Sequence, residues 1–145
     1  MAVDVLTTIL IDRPVSLVAG FAGDPSRAPE WYVNIRTVEW KTAPPVVVGS
    51  QMAFVAHFLG RRLAYTYEVR ELVPGERLVM STSEGPFPME TTYTWADEGG
   101  KTRMTLRNRG EPTGFSAVTA PLMAMMMGRA NRADLARLKA VLEAG

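Results

Sequence analysis

The sequence predicts an α+β domain, with a curved seven-stranded antiparallel sheet around a long C-terminal helix and two short helices after the first strand. Three observations carry this. Several segments alternate apolar and polar residues with period two, which marks half-buried antiparallel strands. The order of segments is strand, two short helices, six strands, long helix. Only the stretch from Gly114 to Glu143 is long enough to cover the apolar face that such a sheet must bury.

The elements follow in order. Val3 to Ile11 is rich in β-branched residues and reads as a strand. Pro14 suits the first turn of a helix over Val15 to Ala22, stopped by Gly23. Asp24 caps a second short helix with Pro25 at its first position. Ile35 to Lys41 is a strand broken by Thr42-Ala-Pro-Pro, and Gln51 to Leu59 is another, bounded by Gly49 and Gly60. Leu63 to Leu72 alternates clearly, with Leu63, Tyr65, Tyr67 and Val69 on one face. Pro74-Gly75 is a turn before the strand Arg77 to Ser83.

The last hairpin joins Met89 to Trp95 with Thr102 to Arg109 across Asp97-Glu-Gly-Gly. Pairing Ala96 with Lys101 across a four-residue turn sets polar against polar, Tyr93 opposite Met104, and Glu90 opposite Arg107. In the final helix, Leu135, Leu138 and Leu142 form an apolar stripe. The half before it is apolar almost all round, with Leu122, Met123, Met125, Met126 and Met127, and Pro121 kinks it or marks its start.

At 145 residues the chain suits one domain over 1–145, large enough to fold on one core without staples. It has no cysteine, which removes disulfides, thiolate metal sites and a Cys nucleophile. The net charge of +1 gives no field to recruit nucleic acid, and Arg103, Arg107 and Arg109 read as a solvated strand face. No basic residue precedes Arg13, so the start does not read as a signal peptide. The longest apolar stretch, 117–128, is too short to span a bilayer, so no stable membrane insertion is expected. A cytoplasmic location is the default. Neither a phosphate loop, nor metal-ligand spacing, nor a nucleophile elbow occurs, and no metal or cofactor is expected.

Strand parity selects the inward face. If Val69 points inward, so do Tyr65 and Tyr67. Phe54 and Phe58 share a face with Met52, and Met80, Thr91, Tyr93, Met104, Leu106 and Asn108 join them. Trp31 and the helical Leu122, Met125 and Met126 complete the candidate lining. An apolar wall with a few polar tips is how small-molecule sites are built, although the same residues would also serve a solid core. The expected polar anchors are the hydroxyls of Tyr65, Tyr67 and Tyr93 and the amide of Asn108. Five of the nine methionines lie between Met104 and Met127, and such adaptable side chains suit a tolerant pocket. Residues 123 to 127 cannot all face inward, and the surplus is assigned to a homodimer contact or a lid. His57, the only histidine, alternates with Phe54, Ala56 and Phe58 and is expected on the solvated face. No ionisable residue is placed in the pocket, which favours binding over catalysis.

The element order and several short segments together resemble the START-related SRPBCC superfamily, which includes the birch-pollen allergen fold and the polyketide cyclase/dehydrase group. These segments are Ile11-Asp-Arg-Pro-Val, Trp31, Val38-Glu39, Gly49, Val69-Arg-Glu-Leu-Val-Pro-Gly-Glu-Arg-Leu, Gly99-Gly-Lys-Thr-Arg-Met-Thr-Leu and Asp134-Leu-Ala-Arg-Leu-Lys-Ala-Val-Leu-Glu. The resemblance covers nearly the whole chain and implies a helix-grip fold with a cavity between sheet and helix. It implies binding of a small hydrophobic molecule such as a lipid or polyketide. It leaves two alternatives: a polyketide cyclase or dehydratase with a tyrosine or His57 as acid/base, and a protein-interaction module like the heat-shock ATPase activator branch. In hormone-receptor relatives, loops placed like Phe58-Leu-Gly-Arg-Arg and Ser83-Glu-Gly-Pro-Phe-Pro-Met act as gate and latch. Here Gly60 would be the hinge and Phe87 the apolar plug.

Overall fold

The computed structural model describes residues 3–58, 60–85, 88–111 and 120–145. Its elements are β1 (Val3–Ile11), α1 (Val15–Ala22), a single 3-10 turn (Pro25–Arg27), α2 (Ala28–Trp31), β2 (Ile35–Trp40), β3 (Gln51–Phe58), β4 (Arg61–Val73), β5 (Arg77–Glu84), β6 (Met89–Glu98), β7 (Lys101–Gly110) and α3 (Ala120–Ala144). One antiparallel sheet runs β1-β7-β6-β5-β4-β3-β2. Each of the last six strands pairs with its sequence neighbour, and β1 closes the far edge against β7. This is the fold class expected from the sequence.

Local chemistry sets the connections. Asp24 caps the 3-10 turn, its carboxylate accepting from the Ser26 N–H at 3.0 Å. In β4 the register shifts between Val69 and Glu71. The bulge lets both Val69 and Leu72 pack on the core, although strict alternation would put them on opposite faces.

The β6–β7 hairpin differs from the expected register. Glu98 pairs with Lys101 and Asp97 with Thr102, leaving a two-residue turn of Gly99 and Gly100, at φ of 65° and 89°. Two glycines with positive φ permit the tight turn whose twist matches the strands, and that turn wins over a four-residue loop. The slip is two residues, so every side chain keeps its face. Tyr93 therefore sits opposite Leu106, and Glu90 pairs with Arg109 at 3.0 Å. Arg107 instead reaches Asp4 on β1 at 2.6 Å.

The core lies between the concave sheet face and α3. Leu135, Leu138 and Leu142 are buried against Ile11, Val18, Leu78, Met104 and Leu106. Each fully buried side chain of this size stabilises by about 1.5–3 kcal/mol. The C-terminal end of α3 is tied to β1 by polar contacts. Lys139 Nζ donates to the Leu10 carbonyl at 2.9 Å, and the Asp12 N–H donates to Glu143 Oε2 at 2.8 Å. The first half of α3 packs through Met123 on Val3, Leu63 and Met89, and a space remains between it and the sheet.

Candidate functional site

That space is a cavity of about 150 Å³ between β3–β7, the α1–α2 region and the first half of α3. Its floor is Phe54, Ala56, Leu63, Tyr65, Tyr67, Leu78, Met80, Met89, Thr91, Tyr93 and Asn108 from the sheet. Tyr32, Asn34 and Ile35 close one side, and Met123, Met127, Ala130, Asn131 and Asp134 come from α3.

Phe54, Tyr65, Tyr67, Met80, Thr91, Tyr93 and Asn108 thus stand together around the space, as strand parity selects them. Trp31, Met104 and Leu106 do not line it. All three are at 0% exposure beneath the surface, and Trp31 packs edge-on to Tyr93 with ring centroids 5.7 Å apart. Leu122 and Met125 are exposed, at 38% and 62%, and Met126 also lies off the lining. The reason is helical phase. The Leu142, Leu138, Leu135 stripe, carried back in steps of three and four, reaches Asn131, Met127 and Met123. Leu122 and Met125 lie on other sides of the cylinder.

His57 is exposed and outside the cavity, with its backbone N–H donating to the Asn34 carbonyl. Gly60, at φ 73°, is an exposed turn residue between β3 and β4. The Phe58 side chain, Phe87, and with Phe87 most of the expected latch, lie outside the described residues.

The polar groups form two sets. The Tyr32 and Tyr93 hydroxyls lie 2.6 Å apart. The second set is a directed chain. Thr91 donates its hydroxyl to Asn108 Oδ1 at 2.6 Å, so the 3.2 Å contact with Tyr67 must be donated by the tyrosine. Asn108 Nδ2 then donates to Asn131 Oδ1 at 3.1 Å, joining β7 to α3. Asn131 Nδ2 is left buried with no partner. Burial raises the pKa of Tyr32, Tyr67 and Tyr93, so all three stay neutral and serve as hydrogen-bonding groups.

Asp134 is the feature that strand parity could not find. It is 3% exposed, one helical turn beyond Asn131. Burial pushes its carboxyl up to about 6, against the opposing effects of a 2.9 Å hydrogen bond from the Val33 N–H and of Arg137. An ionisable group therefore does stand in the pocket, contrary to the expectation from sequence. The signal was the leucine stripe itself. Extending it N-terminally passes through Asn131 and beside Asp134, two polar residues on a face that should be apolar.

Among the described residues, no cluster of three or more His, Asp or Glu is placed to hold a metal, and no helix is long and apolar enough to cross a membrane. Asp24 and Asp134 are the charged residues of the lining, which contains no Lys, Arg or His among the described residues.

A sequence model described as polyketide cyclase / dehydrase and lipid transport matches residues 2–143. The chain belongs to this family. Solved structures agree with the polyketide cyclase/dehydrase assignment at the level of fold. A START superfamily protein from Mycobacterium smegmatis matches with a TM-score of 0.83 at 15% identity, over 97% of each chain. A Thermus thermophilus protein matches with a TM-score of 0.82 at 22% identity, over 98% of this chain and 99% of the other. An aromatase/cyclase from a Streptomyces species matches with a TM-score of 0.78 at 15% identity, over 97% and 93%. No curated protein matches the sequence. The START-like resemblance drawn from element order and short segments is therefore shown, and the family's two described roles, enzymatic and carrier, are both represented in its name.

Proposed function

We propose that this chain binds a small, mostly apolar molecule in the cavity between its sheet and α3. The observation that carries the reading is the form of the lining. Aromatic and methionine side chains surround a volume of about 150 Å³, and a hydrogen-bonded chain from Tyr67 through Thr91 and Asn108 to Asn131 runs through its lining residues. A dry cavity of roughly this volume accommodates a molecule of benzene size. A solid core would leave no such space.

Native mass spectrometry of protein purified from its own host tests this directly, together with titration of propylbenzene followed by NMR. A co-purifying small molecule, or saturable propylbenzene binding that Ala130→Phe removes while the variant stays folded, supports the reading. Propylbenzene binding that persists unchanged in folded Ala130→Phe, or no binding of any apolar molecule, refutes it.

Asp134 favours a second reading, acid–base chemistry on the bound molecule. A carboxyl near 6 exchanges protons close to neutral pH, as a general acid or base should. The tyrosines are poorer candidates, because burial moves them further from neutrality. His57 is outside the cavity. A turnover rate that depends on a group near pH 6 and is lost in Asp134→Asn is the discriminating result.

A further inference from the structure

The reading of the cavity as a binding site leaves its ligand class open, and the make-up of the wall narrows it. Among the described residues, five aromatic rings line the space: Tyr32 just after α2, Phe54 on β3, Tyr65 and Tyr67 on β4, and Tyr93 on β6. They do not lie in one plane. Phe54 meets Tyr67 at 74° with centroids 5.7 Å apart, and Tyr65 meets Tyr67 at 39° and 6.0 Å. Trp31, outside the lining, backs Tyr32 at 4.2 Å and Tyr93 at 5.7 Å. Tyr32 and Tyr67 are only half-buried, although their hydroxyls are bonded to Tyr93 and Thr91. What they present to the cavity is therefore mainly ring.

The charge of the wall points the same way as its rings. Its charged residues are two acids, Asp24 and Asp134, with no Lys, Arg or His among the described lining residues. Arg137 acts on Asp134 from the exposed side of α3, but more weakly than the loss of water around that carboxyl. An aromatic face is the negative part of the ring and attracts a cation. In a poorly solvated space a net negative wall adds to that attraction at range, without contact.

We propose that the cavity selects an organic cation with an apolar shell, a quaternary ammonium group, held among the rings of Tyr32, Phe54, Tyr65, Tyr67 and Tyr93. Size agrees, because a trimethylammonium head is comparable to the benzene-sized molecule that such a volume accommodates. Hydrogen bonding agrees as well. A primary ammonium needs acceptors for three N–H groups, whereas the tyrosine, threonine and asparagine groups of the lining are largely bonded to one another. A quaternary ammonium donates no hydrogen bond and turns methyl groups to the wall.

This inference rests on the binding reading, and a matched pair of probes separates the two. Choline and 3,3-dimethylbutan-1-ol share one shape, with a charged nitrogen in the first and a neutral carbon in the second. Both are titrated at pH 7.5 by calorimetry or NMR, with propylbenzene as the apolar reference. Choline should bind at least tenfold tighter than 3,3-dimethylbutan-1-ol, and Ala130→Phe should remove both. Tyr67→Leu should cut that preference at least threefold, whereas Tyr67→Phe, which keeps the ring, should retain it. Asp134→Asn should also cut it at least threefold while 3,3-dimethylbutan-1-ol binding stays within twofold. It serves as the second variant if Tyr67→Leu fails to fold.

Choline binding no tighter than its neutral counterpart overturns the inference. So does a preference that survives both Tyr67→Leu and Asp134→Asn, or one that Tyr67→Phe abolishes. In each of these cases binding of propylbenzene or 3,3-dimethylbutan-1-ol leaves the cavity reading standing. If none of the three probes binds, both fall together.

Discussion

The hydroxyls of Tyr32 and Tyr93 meet at 2.6 Å, joining the end of α2 to the middle of β6 at the edge of the cavity. Both rings also pack on Trp31, with centroids 4.2 and 5.7 Å away. Each hydroxyl is the other's partner in a buried setting, so removing one strands the other. Tyr32→Phe and Tyr93→Phe should each destabilise by about 1–2 kcal/mol. The double substitution should cost less than the two singles added, by about 1 kcal/mol, because it leaves no orphan. Urea denaturation of the four proteins in the cycle measures this, and simple additivity would mean that the hydroxyls are separately solvated.

Helical phase makes a sharper contrast. Met123 is 1% exposed, whereas Met125, two residues on, is 62% exposed. Met123→Ala removes a side chain from a closed wall and should cost about 2–4 kcal/mol. Met125→Ala should change stability by less than about 0.5 kcal/mol. Equal losses in thermal or chemical denaturation would mean that something covers Met125 in solution.

Much of this is legible in the sequence. Period-two alternation assigned Tyr65, Tyr67, Thr91, Tyr93 and Asn108 to one face, and a two-residue register slip in the hairpin could not disturb that, because parity survives an even shift. The distinction between lining the cavity and lying beneath it was not legible. Met104 and Met80 share the sheet's inner face, but only Met80 meets the space, because depth depends on where α3 crosses the sheet. The helix misled for a different reason. Apolar content suggested Leu122, Met125 and Met126, whereas geometry selects by angle and admits Asn131 and Asp134. A polar residue on an otherwise apolar stripe is the pattern that marks a site, and composition alone reads it as a break in the stripe.

The hairpin turn offers a stabilising change. Gly99 and Gly100 both hold positive φ, and a Cβ at either meets nothing within 4 Å. Asn tolerates the left-handed region and is favoured at the first position of such turns. Gly99→Asn should stabilise by up to about 0.5–1 kcal/mol, by restricting the unfolded chain. Gly100→Val should destabilise by about 1–2 kcal/mol, because a β-branched residue is strained there. Paired denaturation curves check both signs. If both variants matched the wild type, the turn would have to open into a longer loop, and the register of Glu90 on Arg109 would go with it.

Asp134 should make the protein less stable at neutral pH than its other contacts allow. Its carboxyl sits at about 6 in the folded chain against an ordinary value of 3.8. A folded value above the unfolded one means that the folded state holds the proton more tightly, so stability falls as pH rises between the two values and stays low above them. A shift of about two pH units corresponds to about 3 kcal/mol. Asp134→Asn carries no charge and keeps an oxygen for the Val33 N–H. At pH 7.5 it should therefore be more stable than the wild type by up to about 3 kcal/mol. The gain should shrink through pH 6 to 4 and vanish below. Denaturation midpoints of both proteins at pH 7.5, 5.5 and 4 trace this window, and a pH-independent difference would mean that the carboxylate is solvated through the cavity. An Asp that costs stability where Asn would not is the pattern expected where a charged group is kept for a function.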